Sequence, residues 1–270
     1  MISKRCWPAC RRISTPVSEP RPVPFLGPSP AWPAGVRAVA TTRVGGLGTG
    51  PWATLGLSAG GGDDPAIVDA NRARLARLLA LPASPLWLRQ VHGTQVIHAD
   101  AWAGGDAAPQ ADGAWTQARD TVCAVLTADC LPVVLAANDG SAVAVVHAGW
   151  KGLAAGVIES GLECLPTPPD GVQAWLGPAI GPRAFEVGPE VREAFVSRDP
   201  EHGEAFRRGQ GDRWWADLYA LARRRLRRAG VTRISGGGWC TYGEPERFFS
   251  HRRDQGRTGR MATLAWLHSR

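Results

Sequence analysis

The stretch ADCLPVVLAANDGSAVAVVHAG, residues 128–149, decides the fold. Two apolar runs, LPVVLAA (131–137) and SAVAVVH (141–147), flank the segment NDGS. Asp-Gly between such runs signals a two-residue type I′ hairpin turn, in which both central residues take positive φ. With Asp139 and Gly140 as that turn, Asn138 faces Ser141, Pro132 faces His147 and Cys130 faces Gly149. Side chains alternate along a strand, so Cys130 and His147 share one sheet face as diagonal neighbours, about 7 Å apart at the backbone. Gly149 leaves space between them. A slip of one residue would send thiol and imidazole to opposite faces.

Three readings of this pair stand side by side. A thiolate and an imidazole converging on one point suit zinc, whose catalytic sites take three protein ligands and keep a fourth position open. His92 in QVHG (90–93) is the candidate third ligand, because it too closes a strand-like run before a glycine; His98 is the fallback. The second reading is a buried structural cysteine beside a histidine satisfied by the backbone. The third is a nucleophilic pair, with His147 as base to the Cys130 thiolate.

Outward from the hairpin, helical and strand patterns intermix, which defines an α/β or α+β protein. GVRAVATTR (35–43) predicts a strand, followed by a glycine-rich loop. Residues 63–81 predict a helix with Asp63 or Asp64 as cap and Pro65 in its first turn. PLWLRQVHG (85–93) predicts a strand, 151–165 a helix, and 172–181 a strand and loop. Residues 189–198 and 217–230 predict two more helices, and 248–267 a polar loop and a closing strand. Residues 1–24, rich in Pro, Arg and Ser, read as a disordered leader. With no internal linker, 25–270 reads as a single catalytic domain.

Composition narrows the function. Of the 270 residues 44% are apolar, and no run of about eighteen apolar residues predicts a membrane span. The basic N-terminus lacks the apolar core of a secretory signal, so a cytoplasmic protein is expected. The net charge of +7 is nearly all arginine, since the lysines are Lys4 and Lys151 alone. Arginine suits phosphate and carboxylate, but no basic stretch is interleaved with aromatics. A small-molecule substrate is therefore expected, without nucleic acid or membrane, on a monomer or weak homodimer. The six cysteines are irregularly spaced, without CxxC, and predict no disulfide framework.

The strings TTRVGG, GDDP…NR, LRQVHG, TADCLPVV, VVHAGWKG, GPAIGP…EVG, CTY and FFSHRRD…TGR occur in the order seen in one family. Over roughly residues 30–268 the chain resembles the YfiH/DUF152 family. That family is also called the laccase-domain or polyphenol oxidase family, the purine nucleoside phosphorylase family and the peptidoglycan editing factor family. The resemblance implies a mixed α/β fold of central mixed sheets flanked by helices. It implies a catalytic zinc held by His92, Cys130 and His147. It also implies phosphorolysis of adenosine, inosine, guanosine and methylthioadenosine, with adenosine deamination as a second activity. The chain departs from the pattern at TLGLSAGGG (54–62), where Thr54 replaces an Asn and a histidine is missing. It departs again at Lys151 and Arg183, where the family favours Arg and Cys. The glycine-rich segment is expected to alter one wall of the pocket.

Phosphorolysis requires an oxyanion site. Arg43, Arg252 and Arg253 are the candidate clamps for phosphate or ribose, and Gln90 is placed to orient His92 or touch substrate. Asp129 alternates to the face opposite Cys130, which favours a structural role. Deamination would use zinc-activated water and a carboxylate acid/base, which the sequence does not identify. Two His and one Cys also match a copper site by type, although a multicopper oxidase needs further histidine motifs. An editing amidase removing L-Ser from UDP-MurNAc-L-Ser would use the same trio. A non-catalytic zinc-stabilised binding module would need a fourth ligand from His98, Cys123 or His251.

Overall fold

The computed structural model describes residues 25–268 apart from 30, 103, 105 and 106. The leader reading for 1–24, with Cys6 and Cys10, lies outside the described residues.

The hairpin is the centre of a six-stranded mixed sheet. Its order is Arg233–Gly236, Val172–Leu176, Leu131–Ala137, Val143–Ala148, Gly113–Thr116 and Val96–His98. The two outer pairs are parallel and the inner pairs antiparallel. A four-stranded antiparallel sheet of Phe25–Leu26, Val36–Thr41, Met261–Leu267 and Val122–Thr127 lies against one face. Val134, Ala136, Val143 and Val145 pack against it, with Ala38, Val125 and Ala265 opposite. Their sequence neighbours Val133, Leu135, Ala144 and Val146 face the helices instead. Both hairpin strands are buried on both faces, which is why they read as unbroken apolar runs. The helices Val157–Glu163 and Leu218–Arg228 supply Ile158, Leu162, Leu221 and Leu226 to that second layer. A small three-stranded antiparallel sheet, Phe206–Arg208, Trp214–Ala216 and Glu186–Val187, sits beside it.

The register is the expected one: Pro132 pairs with His147 and Leu131 with Ala148. The turn type is not. Gly140 has φ 75°, but Asp139 is not among the positive-φ residues, so the turn is not type I′. Gly140 N–H donates to the Ala137 carbonyl at 3.0 Å, and the Asp139 carboxylate accepts from Ser141 N–H at 2.9 Å. The side-chain bond lets Asp139 avoid the left-handed region. The outward count is unchanged, so the register survives.

Two other expectations are corrected. The predicted helix 151–165 is two helices, Trp150–Ala155 and Val157–Glu163, broken by Gly156 at φ 114°. The predicted strand 85–93 forms only isolated bridges, Leu86 to Cys123 and Arg89 to Gln110. Its last three amides bond a side chain rather than a strand, as described below. The helix predicted over 63–81 runs Pro65–Leu79, with Asp64 accepting from Ala66 N–H at 2.9 Å as its cap. No described helix is long and apolar enough to cross a membrane. Cys123, Cys130, Cys164 and Cys240 are free thiols.

A Cβ on Gly140 would lie 2.5 Å from the Ala34 carbonyl oxygen, in a left-handed residue. Gly140→Ala is therefore expected to lower stability by about 1–3 kcal/mol. The denaturant midpoint measures this, and an unchanged midpoint would mean the turn relaxes freely.

Candidate metal centre and its cavity

The two sheets leave an open end where the hairpin strands finish. Cys130 precedes one strand and His147 is the penultimate residue of the other, on the face toward the four-stranded sheet. His92 arrives from the segment before Gly93 with φ 61°. A single buried carboxylate sets both histidines. Asp112 accepts from the backbone N–H of Val91 at 3.1 Å, His92 at 2.9 Å and Gly93 at 2.7 Å. It also accepts from His147 Nδ1 at 2.9 Å. That bond leaves His147 Nε2 as the free ring nitrogen, the arrangement typical of a metal-binding histidine.

The ligand atoms of His92, Cys130 and His147 lie within 4.8 Å of one another, with Cys130 Sγ 3.9 Å from His92 Nε2. Tetrahedral zinc, with bonds of about 2.0–2.3 Å, needs ligand separations of about 3.5 Å, so small rotations close the set. Space for an ion comes from Gly149. A Cβ there would sit 2.9 Å from His92 Cδ2, 3.1 Å from Cys130 Sγ and 3.4 Å from His147 Cε1. The donor set, its spacing and this gap fit a zinc-sized ion.

Charge favours the ligating forms. Burial opposes a charged Cys130, but His147 and then His92 outweigh it and pull the thiol down to about 6. Burial likewise opposes a charged His147, yet Cys130 and Asp112 push it up to about 9. Both shifts favour a thiolate and an imidazolium in the metal-free pair. Burial pushes the Asp112 carboxyl upward, and the bonds from His147, Gly93 and Val91 more than reverse it.

The trio opens on a cavity of about 520 Å³. Leu88, Leu126, Trp150, Ile180 and Phe185 form apolar walls, and His251, Arg252 and Arg260 add polar ones. Ser58 and Gly60 of the glycine-rich segment also line it, so that departure from the family pattern does form part of the wall.

The other candidates divide. Arg252 is in the wall, with Nη1 donating to the Glu186 carbonyl at 2.7 Å and its guanidinium over the Phe185 ring. Gln90 is there too, but its amide pairs with Leu126 in both directions, at 2.9 and 2.7 Å. The His92 backbone N–H is held by Asp112 rather than by Gln90. Arg43 lies outside this cavity: it donates to the carbonyls of Ala53 and Pro245 and stacks on Phe249. Arg253 also lies outside the wall, committed to Asp254 and to the carbonyls of Thr241 and Phe248. Both arginines donate to backbone oxygens of neighbouring loops outside this cavity. Asp129 accepts from Thr241 and Ser250 hydroxyls and from Arg252 N–H, tying three segments beneath the cavity. His98 stacks on Trp115 and bonds Asp100, away from the trio. Cys123 is fully buried in the core, and burial pushes its thiol up. Neither these residues nor His251 joins the cluster, which has three members among the described residues. A three-ligand cluster leaves a coordination position for substrate or water, unlike a closed structural site. Asp112 and Arg260 were not singled out from the sequence. Asp112 sits in ADG without any motif, and Arg260 ends the TGR string without a visible partner.

The family model described as multi-copper polyphenol oxidoreductase laccase matches residues 37–268. The chain belongs to this laccase-like family, which includes the YfiH and DUF152 proteins. It is 50% identical over 259 residues to a Xylella fastidiosa protein named purine nucleoside phosphorylase, covering 90% of this chain and 99% of that one. It is 50% identical over 242 residues to Escherichia coli purine nucleoside phosphorylase YfiH, covering 88% and 97%. A crystal structure of a Neisseria meningitidis DUF152 protein superposes with a TM-score of 0.87 at 43% identity, covering 92% of this chain and all of that one.

Removing the shared carboxylate should loosen the centre. Asp112→Asn is expected to weaken zinc binding by about 10–100-fold in a competition titration; unchanged affinity would show that another group orients the histidines. In metal-free protein, alkylation of Cys130 should accelerate as pH rises through about 6, because the thiolate is the reactive form. In His147→Ala that inflection should move upward, and a fixed inflection would remove His147 as the cause.

Proposed function

We propose that this chain is a zinc-dependent purine nucleoside phosphorylase whose reaction centre is the cavity around His92, Cys130 and His147. One observation carries the reading: the metal-fitting trio and the cationic groups Arg252 and Arg260 open on the same apolar-walled space. Its volume of about 520 Å³ falls within the size of small-molecule sites, roughly 300–1,000 Å³. The names borne by relatives at 50% identity support the same substrate class.

In phosphorolysis a phosphate oxygen forms a bond to ribose C1′ while the bond from C1′ to the purine nitrogen breaks. The electron pair leaves with the purine, which takes up a proton, and the sugar departs as ribose 1-phosphate. Apolar walls such as Leu88, Ile180 and Phe185 suit a flat base. Arg252 and Arg260 offset phosphate charge in a space partly shielded from water. Asp112 holds the His147 proton on Nδ1 and keeps Nε2 directed at the centre. Zinc, when bound, would supply Lewis-acid polarisation or a water of lowered pKa.

Adenosine, inosine, guanosine and methylthioadenosine are the substrates of this reading, with adenosine deamination as a lesser activity. Deamination is lesser because Asp112 and Asp129 are both fully engaged, so neither is a free acid/base beside the trio. Copper could occupy the same donor set by type, and metal analysis separates the two.

The test incubates purified chain of known metal content with adenosine, with and without phosphate, beside Cys130→Ala. The expected result is phosphate-dependent adenine and ribose 1-phosphate, with about one zinc per chain. Cys130→Ala should lose both the metal and at least about 100-fold in rate. Zinc-loaded protein without phosphate-dependent turnover would overturn the reading.

A further inference from the structure

Among the arginines of the cavity wall, Arg260 is partly buried, whereas Arg89 and Arg252 are exposed. It directly precedes the Met261–Leu267 strand, whose first residue pairs with Thr127. Its backbone carbonyl accepts from Leu57 N–H at 3.1 Å, fixing it against the segment that leads to the glycine-rich loop. Its Nη1 donates to the carbonyls of Thr258 at 2.9 Å and Gly259 at 3.1 Å. Among the described residues its Nε and Nη2 make no hydrogen bond, and it joins no ion pair. Arg43, Arg72, Arg74 and Arg223 are also partly buried without an ion pair among the described residues, but they lie outside this cavity, and others are paired. Arg225 is paired with Glu159, Arg247 with Glu244 and Arg253 with Asp254. Burial weighs against the Arg260 charge, and the anionic groups near enough to act on it are Cys130 and Asp129, neither of which bonds it.

The surroundings are shaped around this side chain. A Cβ on Gly61 would overlap the Thr258 carbonyl oxygen and reach within 3.6 Å of Arg260 Nη1. The glycine loop can therefore lie directly on the arginine, and Gly60 and Ser58 share the cavity wall with it. Arg260 Nε and Nη2 are not among the buried unpartnered atoms, so this edge of a partly buried guanidinium is open to an anion. The Nε–Nη2 edge is the one that grips two oxygens of a phosphate at once. Arg252 is a weaker anchor, being exposed at the rim and stacked on Phe185.

We infer that Arg260, under the loop Ser58–Gly62, is the phosphoryl-binding residue of the cavity, holding a tetrahedral phosphate dianion beside the Cys130 centre. The inference rests on the phosphorylase reading for the role of that anion. Free phosphate and a phosphate ester share the chemistry, and the test separates them.

Isothermal titration of the zinc-loaded full chain with inorganic phosphate, inosine and inosine 5′-monophosphate, on wild type, Arg260→Met and Arg260→Lys, reads the site directly. Loss of a charged bidentate contact is expected to weaken phosphate by roughly 30-fold in Arg260→Met and less in Arg260→Lys. Inosine should stay within about twofold, which a merely structural arginine would not produce. The KM for phosphate should rise in the same order while the nucleoside KM holds. If only the monophosphate binds in an Arg260-dependent way, the site stands and its source is an esterified phosphoryl group. Unchanged binding of both phosphate and the monophosphate in Arg260→Met, or an equal loss of inosine, overturns the inference. If Arg260→Met melts below the assay temperature, Arg260→Lys carries the comparison, since it keeps the charge but loses the paired edge. Arg260-dependent phosphate binding without nucleoside turnover would sink the phosphorylase reading and leave the anion site. Turnover with an unchanged phosphate KM in Arg260→Met would do the reverse.

Discussion

The site depends on one buried carboxylate. Asp112 gathers three consecutive backbone N–H groups, of Val91, His92 and Gly93, and the Nδ1 proton of His147. These donors come from segments about twenty and thirty-five residues away along the chain, so this is a tertiary bond in the full sense. It bends the 90–93 segment through a left-handed histidine and ends any strand there. The same carboxylate fixes the tautomer of the second histidine. A buried charge of this kind is tolerated because every oxygen is occupied by donors, and removing one partner of such an arrangement typically costs about 3–5 kcal/mol.

The hairpin supplies the other half of the geometry. Both its strands are buried on both faces, so a one-residue slip would disrupt two apolar layers at once. That double constraint holds Cys130 and His147 on one face to the end of the sheet. Gly149 opposite Cys130 then keeps open the volume that any side chain would fill. Rigid layers below and irregular loops above are the usual division between scaffold and chemistry.

Electrostatics follow from this placement. The trio lies close enough that thiol and imidazole exchange a proton, giving the thiolate a metal needs. On the cavity side stand guanidinium groups of different kinds. Arg43 and Arg253 bond loops outside the wall, while Arg252 and Arg260 line the open space. From the sequence all four are simply arginines beside conspicuous motifs.

The sequence by itself determined the hairpin register, the shared face of Cys130 and His147, the gap at Gly149 and the α/β class. These depend on local periodicity and on a turn whose ends fall in the same places whatever its type. The capped helix at 65–79 was legible for the same reason. Only the tertiary structure decided that 85–93 is not a strand, that Gly156 splits a helix, and which arginines reach the cavity. It also brought in Asp112 and Arg260, whose partners are distant in sequence. A residue's period and its cap are written in its neighbours. The partner of a buried carboxylate or guanidinium is chosen by how the sheets and loops come together, and no local pattern records that choice.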